Sequence, residues 1–156
     1  MAIHPRQLLA PAALAATLIA TRPLSAQIGV GTWERNQTSA TPVKLTMTVT
    51  ACCGKGRRLV YHMDINGTVT TMTVDSKFDG SEAPVLLNGQ PSGETMAITW
   101  IDDHHTKAVL TLNGKPFGTA KSALSADGKT LTVDDDFSAS VGGQPAGKFT
   151  EIWVRH

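Results

Sequence analysis

The sequence predicts an all-β protein: a single antiparallel up-and-down β-barrel of about 8–10 strands, preceded by an export signal. Three observations predict it. Apolar residues recur with a period of two in run after run, as in strands with one buried face. Short turn signals, several of them Asn-Gly or Asp-Gly pairs, separate those runs. No stretch after residue 27 has the period of an amphipathic helix.

The first 26 residues differ from the rest. Arg6 supplies a positive start, residues 8–20 are an apolar run, and Leu24-Ser25-Ala26 offers small residues for a cut before Gln27. This is the grammar of a signal peptide, and the run is short for a bilayer span. An uncleaved N-terminal membrane anchor is the competing reading. The expected organisation is therefore a signal over 1–26 and one barrel domain over 27–156, exported to the periplasm or beyond the cell. Without Arg6 and Arg22, the 14 basic side chains fall to 12, against 13 acidic ones. So balanced a charge is a poor match to nucleic acid or to an anionic membrane.

Each strand has its own reason. Residues 31–33 open the domain with a Gly-x-Trp entry: Gly31 permits close backbone approach and Trp33 brings a large apolar ring with one N–H donor. Over 43–50, Val43, Leu45, Met47 and Val49 share one face while Lys44 and the threonines share the other. Over 59–65, Leu59, Tyr61, Met63 and Ile65 face inward, with His62 and Asp64 outward. Asn66-Gly67 then suits a type I′ turn, whose two central residues need positive φ. The return strand 68–74 slips phase between Val69 and Met72, which predicts a bulge. Asp79-Gly80 and Asn88-Gly89 mark turns around a Pro84-containing segment.

Met96, Ile98 and Trp100 share one face of a strand over 95–101. Asp102-Asp103 turns the chain into 106–112, and Asn113-Gly114 is another hairpin signal. Strands over 117–125, 130–137 and 148–155 follow, separated by Asp127-Gly128 and Gly142-Gly143. Strands joined so briefly form a meander, and closing it removes both exposed edges. First and last strands would then be neighbours. A β-sandwich is the alternative, but it needs longer crossovers.

Several pieces together resemble a known group. They are Gly31-Thr32-Trp33-Glu34-Arg35-Asn36, Lys77-Phe78-Asp79-Gly80, Ile101-Asp102-Asp103-His104, Ser125-Ala126-Asp127-Gly128-Lys129-Thr130-Leu131 and Gly143-Gln144-Pro145. In order and spacing, over residues 29–155, the chain resembles small secreted bacterial proteins of the lipocalin-like (calycin) superfamily. That group has no assigned activity. The resemblance implies a barrel closed at one end by Trp33 packed under a late-strand cation, here Arg155.

Cys52 and Cys53 are the only cysteines and fall outside those pieces. Three arrangements are open to them: a vicinal disulfide, a bridge between chains, or two free thiols. A vicinal disulfide closes almost no loop, so chain entropy would gain little from it. Asp102-Asp103-His104-His105 carries ligand-type groups, but adjacent strand residues face opposite sides, and a turn is the simpler reading. Asp134-Asp135-Asp136 reads as a solvated strand whose charge discourages edge pairing. No Gly-x-Ser-x-Gly, phosphate loop, His-Glu-x-x-His or Cys-x-x-Cys is present, so the sequence implies no metal or other cofactor and no catalytic residue.

The functional expectation is a barrel that holds a small apolar or amphipathic molecule. Its candidate lining is Leu45, Met47, Tyr61, Met63, Met96, Ile98, Trp100, Leu110, Leu112 and Phe117. Methionines adapt to irregular ligands, which suits a binding cup. The same residues would also fill a solid core, because a small barrel can be packed or hollow. Two other readings stand beside this one. One is a protein-binding module with a filled barrel, such as a periplasmic enzyme inhibitor. The other is an enzyme using the 102–105 cluster.

Overall fold

Ten strands form where β-branched and apolar residues alternate with polar ones. They are β1 (Gly31–Arg35), β2 (Val43–Cys52), β3 (Gly56–Ile65), β4 (Thr68–Ser76), β5 (Asp79–Leu87), β6 (Gln90–Trp100), β7 (His105–Leu112), β8 (Lys115–Leu124), β9 (Thr130–Phe137) and β10 (Gly147–Arg155). The structure, a computed structural model, describes residues 29–36, 43–140 and 145–156. The export signal expected over 1–26 lies outside the described residues, as do Gly143 and Gln144.

Every strand pairs antiparallel with its sequence neighbours, and β1 pairs with β10, so the sheet closes into a barrel. Closure leaves no strand edge to template aggregation. The seam runs through Trp33 opposite Arg155 and Arg35 opposite Trp153. No helix occurs among the described residues.

Because successive strands reverse direction, turns after odd-numbered strands gather at one rim. Asn66-Gly67, Asn88-Gly89 and Asn113-Gly114 are all there, each with both residues at positive φ, as type I′ turns require. The opposite end, here called the base, carries the turn after β2 with the two cysteines, the Lys77-Phe78 turn, and the 101–104 and 125–129 connections.

Two local expectations are corrected. No bulge interrupts β4 against β3, whose register runs unbroken from Arg57 opposite Ser76 to Ile65 opposite Thr68. Val69 faces outward, 56% exposed, and so breaks the apolar pattern without moving the backbone. The register shifts lie elsewhere, between β5 and β6 around Pro84 and between β7 and β8 at Leu110 and Thr111. Pro84 lacks an N–H for the ladder, which suits an irregular stretch. Nor does Asp79-Gly80 form the turn before β5. Those residues begin the strand, and the chain reverses at Lys77-Phe78, with buried Phe78 at a φ of 60°.

Candidate functional site

The base is packed solid. Trp33, Val49, Leu59, Phe78, Leu124 and Leu131 are all buried in one apolar cluster. The Arg155 guanidinium lies 5.8 Å from the Trp33 ring centroid and donates through Nη2 to the Val30 carbonyl at 2.6 Å. A side chain on Gly31 would meet Arg155 Nε at 2.9 Å, so a glycine there leaves room for the guanidinium. Phe78 stacks at a tilt on Trp100, 4.7 Å between centroids. The Trp33 indole N–H is buried without a hydrogen-bond partner among the described residues.

Further along the barrel, the inward positions divide. Leu45, Met47 and Ile98 are buried. Tyr61, Met63, Met96, Leu110, Ala120 and Val133 are only half-buried, although they pack against the same cluster, as does half-buried Trp100 back at the base end of β6. Leu112, opposite Glu94 and half-buried, extends the row of Met96 and Leu110 toward the Asn-Gly rim. Phe117 is buried near that rim against Phe137, 5.9 Å between centroids, and Phe137 meets Phe149 edge-on at 5.1 Å. Inward apolar side chains in a solid core lose nearly all contact with solvent. Here a whole group of them keeps part of its surface exposed.

The interior also holds polar groups that the sequence reading did not single out. Arg35 on β1 donates to Glu151 Oε1 on β10 at 2.6 Å, and the Trp153 indole donates to the other oxygen, Oε2, at 3.1 Å. Asp135 on β9 sits between Ala120 on β8 and Phe149 on β10 in the register. Burial, with the negative charges of Glu151 and Asp134 beside it, raises the Asp135 carboxyl to about 7. The Tyr61 hydroxyl is held above the ordinary phenol range by burial first, then by Glu151 and Asp135. Glu94 on β6 is raised by burial alone.

Parity carried the missing signal. In 130–137, Leu131, Val133 and Phe137 define the inner face, and Asp135 has the same parity. Glu151 likewise falls between Phe149 and Trp153, and Arg35 two residues after Trp33. The triple-aspartate reading is therefore corrected for its middle member. Asp134, bonded by Thr150 at 2.6 Å, and Asp136, 3.4 Å from Lys148, are outside; Asp135 is inside.

The outer candidates form local structure. Asp102 Oδ1 accepts from the backbone N–H groups of His104 and His105 at 2.8 and 2.9 Å, and His105 Nδ1 lies 2.8 Å from the same oxygen. His104 instead points its Nδ1 at the Leu124 carbonyl, 3.1 Å away. The two imidazoles therefore have separate partners, as in a turn that a single aspartate organises. Cys52 and Cys53 are joined as a vicinal disulfide, with Cys53 at positive φ. Their sulfurs and an Asp75 oxygen lie within 4.8 Å of one another. The disulfide occupies both sulfurs, and Arg58 grips Asp75 through two bonds of 2.6 and 2.7 Å, so this form offers no soft-metal site.

Comparison with solved structures finds the same architecture. The fluorescent protein UnaG matches over 81% of this chain and 96% of its own, with a TM-score of 0.54 and 13% identity. A mutant of UnaG matches over 83% and 96%, with a TM-score of 0.55 and 12% identity. The shared feature is the closed antiparallel barrel. At such low identity the likeness is one of fold alone. No family model matches the sequence, and no curated protein does.

Proposed function

We propose that this protein holds a small, largely apolar molecule inside the barrel, seated on Tyr61, Met63, Met96, Leu110 and Val133. The observation that carries the reading is that these side chains point inward and yet are only partly buried. Their packing against the buried base gives such a cup a floor, and its two methionines, Met63 and Met96, can reshape to a ligand. The proposal includes export, with the chain as one of the small secreted bacterial lipocalin-like proteins. Two features support that part: the signal grammar of residues 1–26, and a disulfide of the kind that persists in oxidising compartments.

The test is native mass spectrometry of the exported protein, followed by denaturing extraction and by titration with Nile red, a neutral dye that brightens in apolar surroundings. The companion variant is Ala120→Phe, which places a ring in the interior beside Asp135 without removing a core side chain. Retained small molecules or dye binding, lost at least about tenfold in Ala120→Phe while the fold is kept by circular dichroism, is the expected outcome. A bare chain that binds no dye, or equal binding by the variant, would overturn the cup and leave a barrel that acts through its outer surface.

A further inference from the structure

We infer that the molecule taken into the barrel carries a cationic amine on its apolar body, with Asp135 as the counter-ion, and that carboxylate-bearing amphipaths are disfavoured. This rests on the cup reading above and specifies its ligand.

What selects the ligand's charge is which polar groups in the interior are already committed. One guanidinium, Arg35, faces this region, and Glu151 occupies it at 2.6 Å. The second Glu151 oxygen is occupied by the Trp153 indole at 3.1 Å. An incoming carboxylate would therefore have to displace Glu151 from Arg35. Asp135 is different: it has no hydrogen bond or ion pair among the described residues. Its neighbours in register, Ala120 and Phe149, offer no polar side chain, and the next inward residue on β8 is Ser122, which bonds Thr106 at 2.5 Å. Tyr61 faces it from β3 and Glu151 from β10, while Glu94, inward on β6, stands opposite Leu112 toward the Asn-Gly rim. The other inward guanidinium, Arg57, stands at the opposite end of β3 and donates to the carbonyls of Lys55 and Gly56. Lys121, Lys107 and Lys148 alternate onto the outer face. Thus one guanidinium faces two carboxyls, Glu151 and Asp135, in this part of the interior. A cation would be attracted and an anion repelled, most strongly where walls exclude water.

The chemistry predicts a proton linkage. Asp135 holds its proton up to about pH 7. An ammonium replaces that proton as partner, so its binding should strengthen by about tenfold between pH 6 and pH 8, where an alkylamine stays charged.

The experiment compares decylamine, decanol and decanoate as displacers of Nile red from the mature protein between pH 5 and pH 8. Decylamine is expected to displace the dye at about tenfold lower concentration than decanoate at pH 8, with the advantage shrinking as pH falls. In Asp135→Asn, which is nearly the same size, dye binding should persist while the amine preference and its pH dependence disappear. Equal displacement by decanoate, or an unchanged amine preference in Asp135→Asn, would overturn the inference while dye binding still upheld the cup. Absence of dye binding altogether would overturn both.

Discussion

Room for the Arg155 guanidinium over Trp33 comes from a missing side chain, that of Gly31. A methyl group there would sit 2.9 Å from Arg155 Nε and push the guanidinium aside. Gly31→Ala and Arg155→Ala therefore remove the same contact by opposite routes. Each is expected to cost about 0.5–2 kcal/mol, and the double variant should cost less than their sum. Urea denaturation of the four-member cycle checks this; strict additivity would show that the two residues act apart. The sequence alone supplied Trp33, while Arg155 entered through a resemblance, because no local pattern ties residues so far apart in the chain. Asp135 was harder to read for a different reason. Three successive aspartates look uniformly solvated, and only the face parity of Leu131, Val133 and Phe137 separates the middle one from its neighbours.

At the scale of elements, strands and Asn-Gly turns were legible because period-two patterning and positive-φ chemistry are local. What stayed hidden depended on contacts between strands. Gly56, which reads as a turn glycine, is buried at the start of β3, where a side chain would lie 2.2 Å from the Ser76 carbonyl oxygen on β4. Gly114 sits in the β7–β8 turn with open space around it but a φ of 76°. The two glycines are thus needed for different reasons, one for close approach and one for backbone conformation. Gly114→Ala should cost about 1 kcal/mol through its φ alone. Gly56→Ala should cost more, about 2–3 kcal/mol or above, since rigid backbone must move. Thermal unfolding of both variants decides it, and equal losses would show that β3 can shift away from β4 freely. The phase slip at Val69 teaches the same lesson in reverse: an outward apolar residue mimicked a bulge, and only the register with β3 tells them apart.

For the molecule as a whole, closure followed from the sequence, because a long meander must bury its edges. The interior's character did not follow so directly, since the same apolar residues serve a filled barrel or a cup. The partly exposed inward side chains support the proposed cup, and the Arg35, Glu151 and Asp135 group puts a pH dependence into the stability of the fold. Asp135 has a native pKa of about 7 against an ordinary value of 3.8, so the folded state binds its proton more tightly than the unfolded chain does. Stability from this group is fully present below about pH 4 and is lost as pH rises through about 7. Asp135→Asn removes that loss. The variant should match the parent near pH 4 and exceed it at pH 8 by about 1–2 kcal/mol, less than the whole shift implies because solvent partly reaches the carboxylate. Melting curves of both proteins from pH 4 to pH 8 make the comparison. Parallel curves would mean that Asp135 is solvated like its two neighbours. Diverging curves would mean that the barrel keeps a destabilising carboxylate inside its wall, as residues held for binding commonly are at a cost in stability.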